Sequence, residues 1–440
     1  MAMKPLLRST ALGLLVLCAH LAACLDVDEA VDQFCDRKPG VCLDGASDAG
    51  PDGNGSLDGG NDGGGPDGED GGPHGGGDGG SDAGTDGGPS DGGREPPGWK
   101  PVAPMQTRRT GHTATDLRNG RVLVVGGSSS GNTPTNTTEL YTVSSNRWSP
   151  GPDLGTARMD HTATLLPNGK VLVVGGRGPG GGALSSAEIY DVDANEWTPA
   201  NPIPLGARAS HAAVLLPSGK VLVAGGGDSP LDGLNTAALY RPDNDSWTDA
   251  GNLKVKRNVL TLTLLETGVV VAIGGFNAAG AETTAEVYDS TQPDAEWRLL
   301  LAQMEHGRHG HASTLLPSGR ILVTGSLEGS PGRVLKAAEL FQVSSTSWTP
   351  QAEMMEARFF HTATALPSGE VLIAGGYSSP YAMPRASAEI FRRDGSWEFI
   401  APMSSARVNH TATWLESGSV LIIGGTDDGA VLNTAERYVP

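Results

Sequence analysis

Residues 158–176 read RMDHTATLLPNGKVLVVGG, and after a variable stretch residues 187–197 read AEIYDVDANEW. HTATLLP has the length and composition of a strand, and its Pro-x-Gly turn leads straight into KVLVVGG, an apolar run of the kind found in a strand covered on both faces. AEIYDV alternates faces as a third strand, and the segment around Trp197 supplies a fourth, outermost one. No apolar series at helical spacing is long enough to compete. The stretch therefore predicts a four-stranded antiparallel sheet.

That pattern recurs at a period of 49 to 51 residues, with an opening Arg at 109, 158, 208, 257, 308, 358 and 407. A single such sheet cannot hide both apolar faces, so copies must stack, and stacking them around a ring also removes long exposed edges. Gly doublets follow the second strand at 126–127, 175–176, 225–226, 274–275, 375–376 and 424–425, the fifth copy having Gly325-Ser326 instead. Tyr141, Tyr190, Tyr240, Tyr288, Phe341, Phe391 and Tyr438 mark the third strands, and Trp148, Trp197, Trp247, Trp297, Trp348 and Trp397 mark the fourth. In this order and period the markers resemble the kelch family, over Trp99 to Pro440. The resemblance implies an all-β, seven-bladed kelch-type propeller at residues 95–440, similar to the central domain of galactose oxidase. The last copy ends at Pro440 without a Trp, but Trp99 precedes Arg109 by the offset at which Trp148 precedes Arg158. The segment around Trp99 is expected to be the missing outer strand, pairing with the strand that ends at Tyr438.

The first 94 residues read differently. Lys4 and Arg8 followed by the apolar run Ala11 to Ala23 read as a signal peptide over residues 1–23, too short for a good membrane span. Leu21-Ala22-Ala23-Cys24 resembles a bacterial lipoprotein box, which implies a lipid anchor on Cys24; ordinary secretory cleavage is the alternative. Residues 24–43 carry Cys35 and Cys42, a pair that suits a small disulfide loop in an oxidising compartment. Residues 44–94 are a Gly/Asp-rich linker with almost nothing to bury, read as a disordered, extended tether. A calcium-binding reading of that tract lacks the recurring apolar position that stacked calcium repeats use. The chain as a whole holds 31 Lys and Arg against 50 Asp and Glu, a net charge of −19, which argues against a nucleic-acid partner.

Residues needed in every blade read as architecture. The opening arginines, and the Glu two positions before the aromatic marker at 139, 188, 286, 339, 389 and 436, are expected to form structural ion pairs. Ala238 stands at that position in the third blade, so Arg208 would lack this partner and is a candidate ligand contact. His112, His161, His211, His311, His361 and His410 also recur, with Leu260 in the fourth blade, and read as inner-strand residues hydrogen-bonded near the channel. His306, His309 and His311 cluster, but no contribution from another blade makes them a metal site. No catalytic residue and no cofactor is expected, because no nucleophile triad, phosphate-binding loop or paired-carboxylate motif stands out. Galactose oxidase chemistry needs a tyrosine crosslinked to a cysteine, and no Cys follows Cys42.

What differs between copies is the stretch after each Gly doublet, which places recognition on the face those loops share. Tyr377, Tyr381 and Arg385 of the sixth blade, beside Phe359 and Phe360, are the candidate ligand-binding residues, being of the types that dominate binding hot spots. The expectation is a non-catalytic binding or scaffold module for a protein or glycan, exported and lipid-anchored at the cell envelope, at the outer membrane or cell surface. Two rivals are kept: a carbohydrate-active enzyme, since some bacterial kelch propellers are sialic-acid mutarotases using rim Arg and Glu residues, and a purely structural envelope component. Neither ligand nor oligomeric state is legible.

Overall fold

The computed structural model describes residues 95–440 apart from 131–132, 230–232, 330–331 and 381. The signal peptide, Cys24, Cys35, Cys42, the Gly/Asp-rich linker and Tyr381 lie outside the described residues.

Seven four-stranded antiparallel sheets are present among the described residues, one per sequence copy. In the second blade the strands are Thr162–Leu165, Val171–Val174, Ala187–Asp191 and Glu196–Ala200, from the axis outward. The second strand is buried along its whole length, because each sheet is covered by a neighbour on both sides. Inner strands lie side by side around the axis, and Thr113–Asp116 of the first blade meets Thr411–Leu415 of the last, which closes the ring.

Closure runs through the chain's beginning. Gly98–Val102 pairs antiparallel with Ala435–Val439, in the register Trp99 to Tyr438, and becomes the outer strand of the seventh blade. Trp99 and Tyr438 stack with ring centroids 5.2 Å apart, as the outer Trp and third-strand aromatic do in the other six blades. The Trp99 indole N–H donates to Ala401 O at 2.6 Å, reaching into the connection from the preceding blade as Trp148 does to Ala103 O.

No blade owns a core. Each of seven apolar clusters is shared by adjacent sheets: Leu123, Val125 and Leu140 of the first blade pack with Val171, Val173 and Tyr190 of the second. Val102 joins the cluster between the seventh and first blades, and Trp99 packs against the one between the sixth and seventh.

Two features were not predicted. Four of the variable stretches fold into short hairpins, such as Leu327–Glu328 with Arg333–Val334. The outer strand of the third blade runs from Ser246 to Arg257, because two register shifts let it keep pairing as far as Leu234.

Candidate functional site

Six of the seven blades open with Arg-x-x-His, the fourth having Leu260 in place of the His, and both ends of that motif are used structurally. The Arg158 side chain is fully buried; it donates to Gly175 O at 2.6 Å, to Ser186 Oγ at 3.0 Å and to Glu188 Oε1 at 2.8 Å. Glu188 accepts in turn from the backbone N–H groups of Gly155 and Thr156. Meanwhile Arg158 O accepts from Gly127 N of the preceding blade at 2.9 Å. A Cβ on Gly126, at φ +58°, would strike that carbonyl, which explains the first doublet Gly; Gly325 meets Arg358 O in the same way and is kept where Ser326 replaces the second. The arginine thus ties its own blade by its side chain and the previous one by its backbone.

Arg–Glu distances in six blades run from 2.7 to 3.1 Å. Burial alone lowers an arginine's pKa, and the carboxylate opposes this where it is present. Arg208 is held otherwise. The Leu205-Gly206 peptide turns inward, Gly206 at φ +101° donating to Pro204 O, so that Leu205 O accepts from the guanidinium at 2.9 Å where the other blades place a carboxylate. Gly225 O, Thr236 O, Thr236 Oγ1 and, from Nε, Gly206 O complete its acceptors, and burial pushes its pKa down to about 10.

The histidines link blades. His161 Nε2 lies 3.0 Å from Thr113 Oγ1 of the preceding inner strand, and His211, His311, His410 and His112 meet Thr162, Thr261, Thr362 and Thr411 in the same way. The two exceptions are matched. Leu260 faces a blade whose inner strand begins with Ala212, and the two share one apolar cluster. Where the fifth inner strand begins with Ala312, its cross-strand neighbour is Thr324 rather than an apolar residue, and His361 bonds that hydroxyl at 2.9 Å. Burial and the nearby guanidiniums depress these imidazoles, to about 3 for His112, His211 and His361, so all are neutral at physiological pH.

Between Arg and His, the second residue of each blade's motif is left-handed. Gly111, Asp160, Ser210, Val259, Gly310, Phe360 and Asn409 all have φ between +52° and +62°. They encircle one end of the channel, and backbone bonds connect them tangentially: Asp160 N to Gly111 O, Ser210 N to Asp160 O, Val259 N to Ser210 O and Phe360 N to Gly310 O, at 2.7 to 3.0 Å. Asp160 and Phe360 lean over the glycines that precede them in the ring. A Cβ on Gly111 would meet the Asp160 carboxylate and one on Gly310 the Phe360 ring. Gly suits this conformation and Asn and Asp tolerate it, but a β-branched Val and a Phe are strained in it.

Six of these residues, all but Gly310, line a cavity of about 270 Å³, whose walls are completed by His112, His161, His211 and His410. Asp160 lies 3.9 Å from Arg177 Nε, and that guanidinium also donates to Asp228 O and Gly181 O. Isolated bridges join the residue after each opening Arg to the start of the variable stretch in all seven blades, Phe359 to Tyr377 among them, so cavity and variable loops share a face. Two larger crevices, about 540 and 530 Å³, lie on the opposite face between neighbouring Pro-x-Gly turns, where the blades differ least.

Three of the sixth-blade candidates, Phe359, Phe360 and Tyr377, come together, while Tyr381 lies outside the described residues. Phe359 is fully buried, with its ring 5.3 Å from Tyr377 and 5.2 Å from Phe360. Tyr377 is 9% exposed and burial raises its hydroxyl to about 12, so it packs beneath the surface, whereas Phe360 reaches the channel mouth. Arg385 lies 3.5 Å from Glu356 at the rim and is 42% exposed. Arg208 stands apart, in the third blade, and is fully buried. Asp160, Ser210, Val259 and Asn409 went unnoticed in the sequence; the signal was a residue before each His drawn mostly from Gly, Asp, Ser and Asn.

Among known proteins, the family described as the KLHDC2/KLHL20/DRC7 Kelch-repeats domain matches residues 99–275. A fungal alcohol oxidase of the AA5 family, solved in complex with copper, is similar at a TM-score of 0.64 and 19% identity over 78% of this chain and 76% of that one. The structure of YjhT is similar at a TM-score of 0.54 and 15% identity, over 68% of this chain and 99% of its own. Identities this low show a shared fold. No curated protein matches by sequence. The chain contains a kelch-repeat β-propeller domain.

Proposed function

We propose that this protein is a non-catalytic recognition module that binds a protein or glycan ligand at the channel mouth and the variable loops around it. The observation that carries this reading is Val259 and Phe360 held at φ +54° and +52° with their side chains lining the mouth. Gly serves the same position in two other blades, so the fold does not require these side chains, and strain retained beside a cavity points to use. Tyr377 and Phe359 support Phe360 from below, and Arg385 with Glu356 supplies a polar rim. In the same reading the domain is displayed on the tether from a lipid anchor at Cys24, at the outer membrane or cell surface; a wild-type protein that takes up no labelled palmitate refutes the anchor.

A second reading, a carbohydrate-active enzyme of the sialic-acid mutarotase kind, draws on one observation: Asp160 places a carboxylate in the mouth with a guanidinium behind it. Glycan and peptide arrays probed with the full chain, beside a mutarotation assay on N-acetylneuraminate, separate the two. Array binding without rate enhancement is expected; accelerated mutarotation that Asp160→Asn abolishes would replace the first reading with the second.

A further inference from the structure

We propose that the channel mouth is built for an uncharged, hydroxyl-rich ring, such as a neutral pyranose, and selects against acidic sugars. The inference rests on the mouth being the recognition site, and follows from which charges reach it. Among the described residues, no Lys or Arg lines the cavity. All seven opening arginines are fully buried and committed to carbonyl, hydroxyl or carboxylate acceptors within their own blades. Arg177 approaches from the side but is buried, and it is engaged by Asp160, Gly181 O and Asp228 O. The four wall histidines are neutral.

A carboxylate or phosphate entering this cavity would therefore be desolvated with no cation to receive it, and with Asp160 already present. An ammonium group fares little better, because the Asp160 charge is offset by Arg177. What remains suits a neutral polyol: Asp160 as acceptor, Ser210 and Asn409 able to donate and accept, and the apolar surfaces of Phe360 and Val259 on other blades for a ring's C–H face. A volume of about 270 Å³ lies just below the usual range for ligand pockets and fits one ring, not an extended chain.

The test is saturation-transfer NMR on the full chain with galactose, N-acetylglucosamine, glucosamine and N-acetylneuraminate. The neutral sugars are expected to bind, with N-acetylneuraminate weaker by roughly tenfold or more, a difference of about 1.4 kcal/mol. Asp160→Asn tolerates the left-handed backbone and should narrow that gap while leaving the melting temperature unchanged. N-acetylneuraminate binding as well as galactose, or glucosamine binding tightest, overturns the charge inference and leaves the mouth as a site. Binding of none of the four also overturns it; whether the mouth reading fails too is then read separately, from whether Phe360→Gly weakens any array ligand.

Discussion

Deleting residues 95–104 from the full chain should lower the melting temperature by on the order of 10 °C, or prevent folding altogether. The deletion removes the Gly98–Val102 strand, its five-residue register with Ala435–Val439, the Trp99–Tyr438 stack and the indole bond to Ala401 O. Complete burial of a Trp removes about 150–250 Å² from water, worth roughly 4–6 kcal/mol; Trp99 is only partly buried and contributes a fraction of that, to which the exposed edge of Ala435–Val439 adds. Because each apolar cluster is shared by neighbouring blades, damage at the seventh blade reaches the first and sixth through Val102 and Met403. Differential scanning calorimetry reads the result, and an unchanged melt refutes closure by the N-terminal strand.

Mild acid should destabilise the protein well before its carboxylates titrate. The folded state keeps the inter-blade histidines neutral, burial holding His112, His211 and His361 at about 3 and His161, His311 and His410 well below 6.5, whereas the unfolded chain protonates them near 6.5. Between those limits the unfolded state binds more protons, so stability is intact above pH 6.5 and falls as pH drops toward 3. Each site contributes about 1.4 kcal/mol per pH unit in that window, so six contribute up to about 8 kcal/mol at pH 5.5. With an unfolding entropy near 2 cal/mol/K per residue, that corresponds to a fall of up to roughly 10 °C from pH 7.5 to pH 5.5. The seam between the third and fourth blades supplies the control, since Ala212 and Leu260 already replace the polar pair there. Thr113→Ala with His161→Leu should leave stability at pH 7.5 nearly unchanged and make the acid dependence shallower. Equal melts at the two pH values would contradict neutral, buried histidines.

The fold was legible because its determinants repeat. Arg, His, Gly doublet, aromatic and Trp return in one order, and a strand buried on both faces shows as an unbroken apolar run such as VLVV. The ion pairs between opening Arg and Glu were legible for the same reason, as was their absence at Arg208. What replaces the carboxylate there was not, because the inward turn at Leu205-Gly206 leaves no mark on the spacing. Nor was the substitution of Thr324 for Ala312 as the partner of His361, since those residues are twelve apart in sequence and neighbours only across two strands. The candidate site was half legible: the variable loops named the face and Phe360 within it, but the left-handed ring depends on backbone angles that only its glycines and asparagine hinted at.

The left-handed ring also gives the most direct test of the claim that the mouth is used for recognition. The measurement is the affinity of an array-selected ligand for Phe360→Gly, read beside its melting temperature. Gly relieves the strain at φ +52° as it removes a half-buried ring, so the melt should stay within about 2 °C of wild type while affinity falls roughly tenfold or more. Unchanged affinity together with a lower melting temperature would show that Phe360 only packs the mouth, and would contradict the account.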